Sequence, residues 1–270
     1  MKKSRPSRRR ALLACTILVA ALSTAQAAQA SAGAPAGTPT AVNFAGTPTV
    51  GALFVGGLAQ PHTCTGSVLD SPHGNLILTA AHCIAGSGAG ALFVPGYLRG
   101  RAPYGVWTVQ RAWTLPGWLA SQDPHSDLVL LQVAAHQVGK KLLTLQSITG
   151  GIALGQTTLP IDLRTVTARG YPAGLNDAPV SCTAPLNSTW GYPTFTCHGY
   201  PSGTSGSPFL WNNPGRPPVL IGVIGGLHQG GCQEWASFSP PLRPTLIPLL
   251  SRAILTGPAD ILPTAGPDGC

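Results

Sequence analysis

A serine hydroxyl keeps its proton near neutral pH and is a poor nucleophile. It becomes useful beside a base that takes the proton and donors that hold the resulting oxyanion. Three short stretches of this chain offer those parts. Ser205 stands in Ser202-Gly-Thr-Ser-Gly-Ser-Pro208, where glycines let the backbone turn sharply and aim the N–H groups of Gly203 and Ser205 at one point. His82 ends Leu76-Ile-Leu-Thr-Ala-Ala-His-Cys83, an apolar run closed by two alanines small enough to let an imidazole face a cleft. Asp127 leads into the apolar run Leu128-Val-Leu-Leu-Gln-Val133. An acid at the head of a buried strand is costly unless hydrogen-bonded, and an imidazole N–H would satisfy it while fixing the tautomer. Taken singly, each stretch also has a plain structural reading: a Gly/Ser turn, a histidine at a strand end, a solvated turn aspartate. Asp123 and His125 compete with Asp127, but neither enters the strand.

These residues need a scaffold, and the composition says which kind. Of 270 residues, 44% are hydrophobic and 9% charged, which excludes a disordered chain. The 34 Gly and 27 Pro follow no three-residue period, which excludes collagen and disfavours long helices. Short apolar runs broken by turn residues read as strands: 52–55, 76–79, 105–109, 128–133, 163–169, 195–197, 219–224 and 235–238. Only 245–255 has helical spacing, with Thr245 as a cap and Pro248 in the first turn. Strand-rich halves on either side of residues 140–155 point to two small barrels or sandwiches.

Thr79-Ala-Ala-His-Cys83, Ser126-Asp-Leu-Val-Leu-Leu131 and Gly203-Thr-Ser-Gly-Ser-Pro208, in that order, resemble the His, Asp and Ser motifs of the trypsin/chymotrypsin-like serine proteases. Cys64-Thr-Gly-Ser-Val is similar too, and the likeness is greatest to secreted bacterial, actinobacterial-type members. The resemblance covers roughly residues 48–256. It implies an all-β fold of two six-stranded antiparallel barrels, about 49–140 and 150–240, in a protease domain 49–256 with a C-terminal helix. It implies His82 as general base, Asp127 as its orienting partner, Ser205 as nucleophile, and Gly203 and Ser205 as oxyanion donors. It also places Gly199, Ser202, Gly225, Gly226 and His228 along the substrate.

The chain departs from the family pattern in places. Thr204 stands where animal members carry the Asp that receives a new N-terminus, and no Ile-Val-Gly-Gly-like start is present. Gly199 stands where trypsin-type members carry an Asp for basic side chains, so cleavage after basic residues is unsupported at that position. Glutamate-specific bacterial members carry a His where Ile224 stands. The primary preference stays open between small or apolar side chains and glutamate.

Six of the sixteen Lys and Arg lie in the first ten residues, leaving ten bases against eight acids elsewhere, a balance of +2. That is no electrostatic footprint for nucleic acid. The basic head, the apolar run 11–22 and the small-x-small sites 25–27 and 28–30 read as a signal peptide over 1–30. A flexible leader over 31–48 and a loop tail over 257–270 flank the domain. Export favours disulfides among the six remaining cysteines. Spacing alone does not choose among fifteen connectivities. Local loops favour Cys64–Cys83 and Cys182–Cys197, leaving Cys232–Cys270. No Cys-x-x-Cys pair supports a metal, and no cofactor is expected. The expected protein is an extracellular monomeric endopeptidase acting on polypeptide, away from the membrane once its signal is cut. The alternative is a catalytically silent relative that binds peptides through the same cleft.

Overall fold

The computed structural model describes residues 33–155, 164–212, 215–242 and 245–270. The expected signal peptide and the first two residues of the expected leader lie outside them. The strands are β1 (Val42–Asn43), β2 (Val50–Phe54), β3 (Cys64–Val68), β4 (Leu76–Thr79), β5 (Leu92–Pro95), β6 (Trp107–Thr114), β7 (Val129–Val133), β8 (His136–Val138), β9 (Lys141–Leu143), β10 (Thr165–Gly170), β11 (Val180–Thr189), β12 (Tyr192–Thr196), β13 (Pro208–Trp211), β14 (Val219–Val223) and β15 (Ala236–Phe238). Among the described residues three short α-helices accompany them: α1 (Pro116–Ser121), α2 (Leu145–Thr149) and α3 (Leu246–Ile254).

Strands β2-β3-β4-β7-β6-β5 close into an antiparallel barrel. Strands β4 and β7 read as nearly continuous apolar runs because both their faces are covered. Side chains alternate across a strand, so Val129, Leu131 and Val133 of β7 fill the barrel with Leu53, Ile77, Phe93 and Trp107. Their neighbours Leu128 and Leu130 point outward into a second cluster with Leu76, Leu78 and Trp113. That cluster continues into Leu210, Leu220 and Val223 of the second sheet and Leu246, Leu249 and Ala253 of α3. One apolar seam thus joins the barrel, the second sheet and the C-terminal helix.

The second sheet runs β14-β13-β10-β11-β12-β15. The ten-residue β11 pairs with β10 through its first half and with β12 through its second. The sheet curls until its ends meet. Gly225 N–H donates to the Phe238 carbonyl at 2.9 Å, and Val223 N–H to Ser239 Oγ at 3.0 Å. Phe195, Phe209, Leu186 and Ile224 fill its interior.

Three segments differ from the sequence reading. The stretch 31–48 reads as a flexible leader, yet its described part is fastened along the second sheet. Ala41 N–H donates to the His198 carbonyl and His198 N–H to the Pro39 carbonyl, both at 2.8 Å, and β1 pairs with β11. These are backbone bonds, which need no hydrophobic pattern. Thr245 does not cap α3: its backbone is already helical, and its hydroxyl donates back to the Pro241 and Leu242 carbonyls. The tail after Gly257 has no regular helix or strand but is pinned throughout. Asp260 pairs with Arg252 and accepts from Thr114 N–H, Leu262 exchanges two backbone bonds with Gly86, and Gln122 holds Thr264 and Gly266. Disulfides join Cys64–Cys83, Cys182–Cys197 and Cys232–Cys270.

Candidate active site

His82 sits in a single 3-10 turn, Ala81–Cys83, at the end of β4. Ala80 and Ala81 are fully buried, and the Cys83–Cys64 bond ties the turn to β3. Asp127, at the mouth of β7, is 0% exposed, and three N–H donors hold its carboxylate. His82 N–H reaches Oδ1 at 2.9 Å, while His82 Nδ1–H at 2.8 Å and Gly226 N–H at 2.7 Å reach Oδ2. A carboxylate only accepts, so Nδ1 carries a proton, and Nε2 makes no hydrogen bond among the described residues. The His82 side chain is 8% exposed and borders a cavity of about 500 Å³ that Ser205 also lines.

The turn that carries Ser205 is stitched to the barrel by Thr65. Thr65 N–H donates to the Ser205 carbonyl at 2.8 Å. Its hydroxyl donates to the Gly203 carbonyl at 3.2 Å and accepts from Tyr171 N–H at 2.9 Å. Glycine is required at 206, where φ is +83° and a Cβ would overlap the Thr65 carbonyl. We expect Thr65→Val to leave the buried Tyr171 N–H unpaired and to lower stability by about 1–3 kcal/mol. Turnover should fall as the Ser205 turn loosens, and Thr65→Ser should restore both. Thermal unfolding and kcat measured on the same samples check this.

Gly203 and Ser205 both line the cavity. The Ser202 carbonyl accepts from Ala173 N–H at 2.8 Å, on the side away from the cavity. In a trans peptide the next N–H points the opposite way, so Gly203 N–H is turned away from Ala173. Neither Gly203 N–H nor Ser205 N–H has a hydrogen-bond partner among the described residues. The Ser205 hydroxyl has none either, and no bond joins it to His82. Contacts of this kind commonly tighten only around substrate.

The residues expected along the substrate divide. Ser202 and His228 line the cavity. Gly199, Gly225 and Gly226 stand behind the lining: their N–H groups are taken by the Glu234 carboxylate, Phe238 O and Asp127 Oδ2 respectively. Just past Gly226 the chain enters a tight turn, Leu227–Gly230. His228 and Gln229 both adopt positive φ of 51° there, a bend that non-glycine residues do not announce. Asp123 and His125 pair with each other outside the cavity.

Sequence reasoning missed three contributors: Thr65, Glu234 and Asp268. The last two line the cavity. Their signal was scarcity, since only eight acids occur in the chain and each of these sits within two residues of a bridged cysteine. Backbone donation from Gly199 N–H, reinforced by His198, holds the Glu234 carboxyl below its ordinary pKa. Burial pushes the Tyr200 hydroxyl up, so this cavity-lining phenol stays protonated and donates to the Ala168 carbonyl at 2.8 Å. Two groupings, Cys64–His82–Cys83 and His228–Cys232–Cys270, bring potential metal ligands together. Their cysteines are bridged and offer no thiolate.

The family model for the trypsin-like peptidase domain matches residues 64–223. No curated protein sequence matches the chain. Among solved structures, the protease Anisep from Arthrobacter nicotinovorans is similar at 20% identity and a TM-score of 0.65, over 79% of this chain and 98% of that one. The thermostable serine protease AL20 from an extremophilic microorganism is similar at 21% identity and a TM-score of 0.63, over 78% and 99%. A Glu endopeptidase is similar at 16% identity and a TM-score of 0.61, over 81% and 98%. At these identities the likeness is one of fold. With the family model spanning both the histidine and serine motifs, the chain belongs to the trypsin-like peptidase family.

Proposed function

We propose that the protein is an exported serine endopeptidase that cuts polypeptides through an acyl-enzyme on Ser205. The observation that carries this reading is the buried Asp127–His82 pair on the same cavity as an unpartnered serine hydroxyl and two unpartnered N–H groups. Ser205 Oγ attacks the peptide carbonyl while its proton passes to His82 Nε2. The oxyanion forms against the Gly203 and Ser205 N–H groups, a donor pair in which one member is worth about 10²–10³ in kcat. The C–N bond then breaks, and the leaving amine takes the proton from His82. Water, activated by the same imidazole, releases the acid and restores the serine. Asp127 holds the ring and balances the imidazolium without taking the proton. Export is supported by the basic, apolar and small-residue order of residues 1–30 and by three disulfides.

A fluorophosphonate probe tests the reading on the disulfide-bonded protein. Labelling mapped to Ser205, and absent from Ser205→Ala, is the expected result. No labelling at any pH between about 6 and 9 would favour a silent peptide binder.

A further inference from the structure

The cavity beside Ser205 carries more negative charge than its glycine at 199 suggests. We propose that it receives a cationic side chain, that of arginine or lysine, with Glu234 as the counter-charge and Asp268 as a second acid at the rim. The proposal rests on the hydrolase reading of the same site and names the substrate class for it.

Glu234 and Asp268 both line the cavity, and no Lys or Arg does. The bases on it are the imidazoles of His82 and His228, whose Nδ1–H groups are already given to Asp127 and to the Asp268 carbonyl. The Glu234 carboxylate is fixed before any guest arrives. Oε1 accepts from His198 Nδ1–H at 2.7 Å and Oε2 from the N–H of Gly199, while Tyr200 N–H holds the Glu234 carbonyl at 2.9 Å. Gly199 thus contributes no acid of its own but orients one that arrives from 35 residues along the chain. Two bonds use half of a carboxylate's roughly four acceptor sites, and the side chain remains 45% exposed. The free sites match a guanidinium or ammonium.

The rest of the lining agrees. Thr63, Ser202, Gln229 and Gln233 present polar groups. An apolar guest would strip water from Glu234 without compensation, and a glutamate guest would meet like charge. The second acid comes from the C-terminal tail. Asp268 Oδ1 accepts from Cys270 N–H at 2.9 Å, and Cys270 is bridged to Cys232 in the cavity's own wall.

Peptides differing only at the residue before the cut decide the matter, with arginine set against its neutral isostere citrulline, and leucine and glutamate as further arms. We expect kcat/KM for arginine to exceed that for citrulline by about 10²-fold, and Glu234→Gln to shrink the ratio at least about tenfold. Thermal unfolding of Glu234→Gln confirms that the variant is folded. A second readout needs no turnover: n-butylguanidinium and n-butylurea are titrated into Ser205→Ala by NMR. The cation should shift cavity resonances, the urea should not, and adding Glu234→Gln should abolish the difference. Equal handling of arginine and citrulline, a preference for leucine or glutamate, or an unchanged ratio in Glu234→Gln would overturn the proposal. If the protein cuts nothing, the hydrolase reading fails, and the titration still decides whether the cavity selects a cation.

Discussion

Ser205→Ala is expected to lower kcat by about 10⁶-fold while leaving the fold and its melting temperature unchanged. The two halves of this expectation have separate causes. The hydroxyl has no hydrogen-bond partner, so its removal strands no donor or acceptor. Chemically it is the only route by which the carbonyl is attacked covalently. Adding His82→Ala should cost almost nothing more, because in the proposed mechanism the two side chains act as one unit. Residual hydrolysis in both variants would come from the Gly203 and Ser205 N–H groups polarising the carbonyl toward attack by water. Kinetics on the two single variants and the double variant check this. A double variant slower than either single one by the product of their effects would mean that the two side chains work independently.

Asp127→Asn should be costly in two currencies at once. Backbone donors reach both carboxylate oxygens: His82 N–H on Oδ1 and Gly226 N–H on Oδ2. An asparagine has one carbonyl oxygen, so in either orientation its NH2 group confronts a buried N–H. The orientation that retains the Oδ2 contacts leaves one donor opposed. The other opposes Gly226 and also forces His82 Nδ1 to accept, which turns the ring to the wrong tautomer. We expect a stability loss of about 1–3 kcal/mol from the opposed donor. We expect a fall of about 10³–10⁴ in kcat from losing the charge that balances the imidazolium, or the tautomer. Denaturant unfolding and kcat on one preparation test both parts. Full stability with low activity would show that the local backbone relaxes around the amide.

What could be read from the chain, and what could not, follows from how each part is specified. His82, Asp127 and Ser205 each sit in a contiguous apolar or glycine-rich stretch, because a strand end or a sharp turn must aim the side chain locally. Helix α3 was legible from the spacing of Leu246, Leu249 and Ala253 on one face. The strap 39–44 was not, since backbone bonds to His198 and to β11 leave no mark in side-chain pattern. Nor was the bend at His228 and Gln229, where two ordinary residues adopt a conformation that glycine usually signals. Glu234 was missed for a related reason. Its role depends on Gly199 and His198, which approach it only because β12 and β15 pair.

The placement of the reactive groups on opposite sides of the seam has a consequence for the cell that makes this chain. His82 and Asp127 belong to the barrel, whereas Gly203 and Ser205 belong to the curled sheet, and Thr65 bridges the two. On the proposed hydrolase reading, a half-made polypeptide owns no scissors: neither lobe alone can cut. Destructive capacity would then be born only when the two lobes dock, and the unfolded chain could be handled in safety.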